Sequence, residues 1–124
     1  MRIFFAGLPP SLPHIQAGKL RAIAVSTKDP SSLVEGVPPV SATVPGFDIE
    51  NWQGMFAPAG TPAAIVSRIA EDIAQVAQDP AFRDALVAQG AAPAPLGPAP
   101  FAAFVDAERR KYANLVKVSG AKAD

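Results

Sequence analysis

The sequence predicts an α/β chain built from a strand–helix–strand unit, a linker, and a strand followed by three helices. Three observations predict it. Two short, continuously apolar runs, Ile3-Phe4-Phe5-Ala6 and Ala22-Ile23-Ala24-Val25, bracket a helical stretch. Such runs fit strands covered on both faces, and a strand–helix–strand unit of this kind is parallel and right-handed. The second half instead repeats apolar residues every three or four positions, which is helical spacing. Between the halves, Lys28-Asp29-Pro30, Gly36-Val37-Pro38-Pro39 and Val44-Pro45-Gly46 interrupt any regular element.

The elements follow in chain order. Residues 3–6 read as a buried strand ending at Gly7. Residues 9–17 read as a helix with Leu12 and Ile15 on one face and Gly18 as its stop. Residues 20–26 form the second strand, and 27–46 an irregular linker. Strand character resumes over 47–58 through Phe47, Ile49, Trp52, Met55 and Phe56, with Gly54 marking a bulge or a close backbone approach. Ala59-Gly60 makes a tight turn, Thr61 stands as N-cap and Pro62 as the first helical residue. Over 62–78, Ile65, Val66, Ile69, Ile73, Val76 and Ala77 form one apolar stripe, read as packing surface. Asp79-Pro80 opens a helix with Phe82, Leu86 and Val87 facing inward, and Gly90 closes it. Residues 91–100 leave room for a short strand at 94–96. The last helix spans about 100–117, with Phe101, Phe104, Val105, Tyr112, Leu115 and Val116 as its stripe and Gly120 as its stop.

Composition excludes several functions. The 124 residues carry 11 basic and 11 acidic side chains, so formal net charge is zero, and 49% of residues are hydrophobic. One domain with a useful core is expected, and disorder is not. The sole basic cluster, Arg109-Arg110-Lys111, reads as a solvated helix face, and nucleic-acid binding would need a basic surface. There is no cysteine, which excludes disulfides, thiolate chemistry and a cysteine-based zinc site. His14 is the single histidine and has no carboxylate or hydroxyl partner nearby in sequence, so a structural role is expected over catalysis. Glu71-Asp72 and Asp106 with Glu108 read as solvated faces, and no serine stands in a nucleophile elbow. No catalytic residue, metal site or cofactor is therefore expected. The N-terminus lacks the layout of a signal peptide, and no apolar run is long enough to span a membrane. As written, the chain is expected in the cytoplasm.

One turn points to ligand chemistry. Ala6-Gly7-Leu8 joins the C-terminal end of a strand to a helix N-terminus, the place where open α/β sheets usually bind ligands. Free N–H groups and the helix dipole there favour a carboxylate. Ser11 lies one turn on. The alternative is that Gly7 merely permits the turn. Trp52 likewise is either a cleft-lining aromatic or a core anchor, and its area favours the core.

A family resemblance runs from Phe4 to Gly120. It rests on Phe5-Ala6-Gly7-Leu8-Pro9 with Leu12-Pro13-His14-Ile15, and on Ala17-Gly18-Lys19-Leu20-Arg21-Ala22-Ile23-Ala24-Val25. It continues through Pro45-Gly46-Phe47, Trp52-Gln53-Gly54-Met55-Phe56-Ala57-Pro58-Ala59-Gly60-Thr61-Pro62, and Asp79-Pro80 with Gly90. In order and spacing these pieces resemble the C-terminal part of Bug-type solute-binding receptors of tripartite tricarboxylate transporters. The resemblance implies part of a type II periplasmic-binding-protein fold, a two-lobed clamshell. It assigns residues 1–26 to the second lobe, 27–48 to a hinge crossing and 49–124 to the first lobe. It implies a non-enzymatic receptor for a small carboxylate, a membrane permease as partner, a periplasmic location and ligand contacts at Ala6, Gly7, Leu8, Ser11 and Trp52. The chain departs from the family where Pro38-Pro39-Val40-Ser41-Ala42 replaces the usual Pro-Thr-Val-Ala-Glu. One wall of the clamshell is not represented, so weak ligand enclosure is expected. The rival expectation is a ligand-free module, or the remnant of a disrupted receptor gene, that associates as a homodimer.

Overall fold

The computed structural model describes residues 3–122, and they hold four α-helices and one 3-10 turn. The helices are α1 (Leu8–Gln16), α2 (Ala63–Val76), α3 (Pro80–Ala88) and α4 (Pro98–Ser119), with the 3-10 turn at Val40–Ala42. The chain divides into two compact units. The first comprises Met1–Phe56 and Asp79–Pro93, the second Ala57–Gln78 and Ala94–Asp124. By this division the residue 27–48 segment and α3 both group with the N-terminal residues, a partition drawn differently from the lobes expected above.

In the first unit, α1 is a poor helix by propensity, since Pro9, Pro10 and Pro13 all lie within its nine residues. Pro13 removes an internal hydrogen bond. Packing and a tight C-terminus compensate. Leu12 is only 5% exposed. Gly18 takes a left-handed φ of 69°. Its N–H donates to the Ile15 carbonyl at 3.0 Å, and Lys19 N–H donates to the His14 carbonyl at 2.9 Å, the two bonds of a Schellman ending. Helix α3 opens as its sequence indicates: the Asp79 carboxylate accepts from Phe82 N–H at 3.0 Å. It closes on Gly90, φ 76°, by the same pair of bonds as α1.

The strands expected at 3–6, 20–26, 47–58 and 94–96 do not form ladders among the described residues. What remains of them is one parallel bridge between Val25 and Pro39. Val25 N–H donates to the Pro38 carbonyl at 3.0 Å, and Val40 N–H to the Val25 carbonyl at 2.9 Å. Ile49 N–H then donates to the Ser26 carbonyl at 2.8 Å. Residues 20–26 therefore pair with the linker and its continuation, not with 3–6. A strand exists only where a second backbone satisfies its N–H and C=O groups. Apolar runs identify segments that suit a covered sheet, but not the neighbour. Ile3, Phe4, Phe5 and Ile23 accordingly stand exposed, against the expectation of burial.

In the second unit, Thr61 is not the N-cap of α2. Its hydroxyl and N–H both donate to the Pro58 carbonyl, at 2.8 and 3.2 Å, which closes a turn around left-handed Gly60. Pro62, extended at ψ 136°, is the cap residue, so the helix starts one residue later than expected and Thr61 lies outside it. Helices α2 and α4 contact each other. The less exposed row of α2 is the small one, Val66, Ala70, Ala74 and Ala77. Ile65, Ile69, Ile73 and Val76 are exposed, Ile69 at 41%. Of the expected stripe, Val66 and Ala77 are covered, while Ile65, Ile69, Ile73 and Val76 face outward against expectation. On α4, Phe101, Phe104 and Val105 are half-buried as expected, and the two rings stack with centroids 6.4 Å apart. Tyr112, Leu115 and Val116 are exposed, and Glu108 continues the covered row instead.

Candidate functional site

The α1 N-terminus carries four of the residues singled out from sequence, Ala6, Gly7, Leu8 and Ser11. Ala6 is exposed; Gly7, Leu8 and Ser11 are half-buried. Gly7 is the N-cap with φ −63° and ψ 142°, an extended conformation open to any residue. The turn therefore does not require glycine. No acidic residue lies in the first turn of α1, so nothing there opposes an anion.

The donor count is smaller than a helix N-terminus usually offers. Of the first four backbone positions, Gly7, Leu8, Pro9 and Pro10, only Gly7 and Leu8 have an N–H. The Ser11 hydroxyl can add a third donor one turn along. A fourth lies on a residue that sequence reasoning missed. The side-chain amide nitrogen of Asn51 sits 3.5 Å from the point a Gly7 Cβ would occupy. Asn51 thus reaches the α1 N-terminus across a 44-residue separation, which no local signal could announce. Trp52, the adjoining residue, is half-buried.

A second missed residue is Gly90. A Cβ there would lie 3.0 Å from Pro9 Cα, 3.1 Å from Pro9 N and 3.3 Å from the Leu8 carbonyl carbon. The end of α3 therefore rests directly on the first turn of α1. Its glycine was legible as a helix stop; its tertiary contact was not.

Other expected features fall outside this cluster. His14 is exposed in the last turn of α1, and no group of three or more His, Cys, Asp or Glu among the described residues could hold a metal ion. No helix among them is long and apolar enough to cross a membrane. The basic run on α4 is locally paired: Asp106 takes Arg110 at 2.9 Å and Arg109 at 3.6 Å, and Lys111 pairs with Glu108. Asp106 lies on an exposed face as expected, whereas Glu108 is 7% exposed and does not.

The geometry makes Gly7→Ala an informative variant. The added methyl would meet Asn51 Nδ2 at 3.5 Å and Pro10 Cδ at 3.7 Å, both ordinary contacts. Its expected stability change is within about 0.5 kcal/mol. Thermal unfolding checks this, and a fall of several degrees would mean that the turn needs glycine after all.

The family model described as "Tripartite tricarboxylate transporter family receptor" matches residues 1–120. Protein BugT of Bordetella pertussis is 33% identical over 116 residues, which cover 93% of this chain and 36% of that protein. A UPF0065 protein of Bordetella bronchiseptica is 29% identical over 120 residues, 97% of this chain and 36% of the relative. Among solved structures, R. palustris Rpa4515 with adipate superposes with a TM-score of 0.79 at 30% identity, covering 91% of this chain and 38% of that one. The chain thus spans little more than a third of the length of these relatives. The fold is that of part of a periplasmic-binding-protein-like receptor.

Proposed function

Because this chain belongs to the tripartite tricarboxylate transporter receptor family, we propose that it supplies one wall of a carboxylate-binding site, centred on the N-terminus of α1. Family members are periplasmic solute-binding receptors, not enzymes. The supporting observation is the Asn51 amide lying against Gly7, the N-cap of the short helix whose first turns carry Leu8 and Ser11. All are neutral donors, which hold a carboxylate through hydrogen bonds and dipole without a buried cation. Ala6 lines the approach, and Trp52 offers an apolar surface beside Asn51. The ligand class is a small dicarboxylate or tricarboxylate, in keeping with the adipate of the R. palustris neighbour. A membrane permease is the transport partner, and the periplasm the working location.

One wall encloses a ligand poorly, since small-molecule pockets bury most of their ligand's surface. Calorimetry with succinate, adipate and citrate should therefore give dissociation constants far weaker than about 1 μM, the equivalent of roughly −8 kcal/mol. Micromolar or tighter binding would show that this part of the receptor suffices alone.

A second reading is favoured by one observation, the exposed row Ile65, Ile69, Ile73 and Val76 on α2. Contiguous apolar surface of this kind drives association. In this reading the chain self-associates as a homodimer through α2, without ligand. Sedimentation equilibrium decides it: a concentration-dependent dimer weakened by Ile69→Asp is expected. A monomer at all concentrations would remove this reading. On the chain's own fold Ile69→Asp should do little, because the side chain is already 41% exposed.

A further inference from the structure

We infer that Gly90 is a positioning residue for the α1 N-terminus, its bare backbone fixing where the Gly7 and Leu8 donors point. This rests on the carboxylate reading above. Two independent features make glycine necessary. Its φ of 76° is left-handed, which disfavours ordinary side chains. Its missing Cβ leaves only enough room for the Pro9 backbone, which a methyl would approach to 3.0 Å at Cα and 3.1 Å at N. The atoms facing Gly90 are backbone atoms of a proline, so no flexible side chain can swing aside. Either the 89–91 turn or the first turn of α1 must shift.

Other left-handed glycines separate the two features. Gly36 also has positive φ, 74°, yet a Cβ there meets nothing within 4 Å. Gly36 and Gly90 both belong to the first unit. Burial points the same way: Gly36 is exposed and Gly90 is buried. A helix stop alone needs the dihedral but not the contact. The contact falls on residues 8 and 9, within the short segment that carries the proposed donors.

The test compares Gly90→Asn with Gly36→Asn in the full chain. Asparagine tolerates left-handed φ, so the pair isolates crowding from dihedral strain. Amide spectra of ¹⁵N-labelled protein are recorded with and without adipate as probe. Gly36→Asn should leave the Leu8 and Ser11 resonances and their adipate response as in the wild type. Gly90→Asn should move both resonances in the free protein and raise the adipate dissociation constant about ten-fold or more. A general loss of stability would not reproduce that selective shift. Unmoved Leu8 and Ser11 resonances, or an unchanged dissociation constant, would overturn the inference. An absent adipate response in wild type would defeat the carboxylate reading and the ligand half of this one, while the free-protein shifts still judge the contact. Should Gly90→Asn not fold, the wild type decides: a strong Gly90 Hα to Pro9 Hα cross-peak supports the contact, and its absence overturns it.

Discussion

Leu12→Ala should lower the stability of the first unit by about 2–3 kcal/mol. Leu12 is 5% exposed and is the one buried residue of α1. That helix holds three prolines in nine residues, so intrinsic propensity contributes little to it and packing must hold it. Removing three carbons from a covered site loses transfer free energy and leaves a void. Denaturant unfolding followed by α1 amide exchange measures the effect. The expected result is a lower midpoint with α1 amides losing protection first. An unchanged midpoint would mean that Leu12 is not a core residue in solution.

Lys111→Met should cost about 2 kcal/mol in the second unit, close behind. Glu108 is 7% exposed and Lys111 pairs with it one helical turn away. Lys111 itself keeps 29% of its side chain exposed, which reduces the cost below that of a fully buried pair. Removing the ammonium takes one charge partner away from a nearly buried carboxylate. Replacing both, Glu108→Leu with Lys111→Met, should restore most of the loss, because a desolvated pair and an apolar pair of similar volume are often near equal in stability. A double-mutant cycle by thermal unfolding reads the difference. If the double variant were less stable than Lys111→Met, the pair would have a role beyond mutual neutralisation.

Most helix ends are legible locally, the Thr61 cap of α2 being the exception. Gly18, Asp79-Pro80, Gly90 and Gly120 marked helix ends because capping depends on residues a few positions apart. Facing and pairing depend on distant chain, and there the sequence reading failed. The isoleucine row of α2 is evident in sequence, yet the alanine row is the covered one. Residues 3–6 have the composition of a buried strand and form no ladder among the described residues. Glu108 occupies a covered position because it follows Phe101, Phe104 and Val105 at helical spacing, and charge outweighed that spacing in the reading. At the site, Gly7, Leu8 and Ser11 were accessible to sequence reasoning. So was the loss of two donors at Pro9 and Pro10, which the generic helix N-terminus argument passed over. Asn51 and Gly90 became visible only through tertiary contact.

Titration of ¹⁵N-labelled wild-type chain with adipate asks whether the proposed site at the α1 N-terminus takes a carboxylate. With one wall present, binding of roughly 1 mM, near −4 kcal/mol, is the expected strength. Saturable shifts should concentrate on the Gly7 and Leu8 amides and the Asn51 side-chain amide, with α4 resonances still. Shifts confined to other residues, or no change at adipate concentrations well above that range, would contradict it.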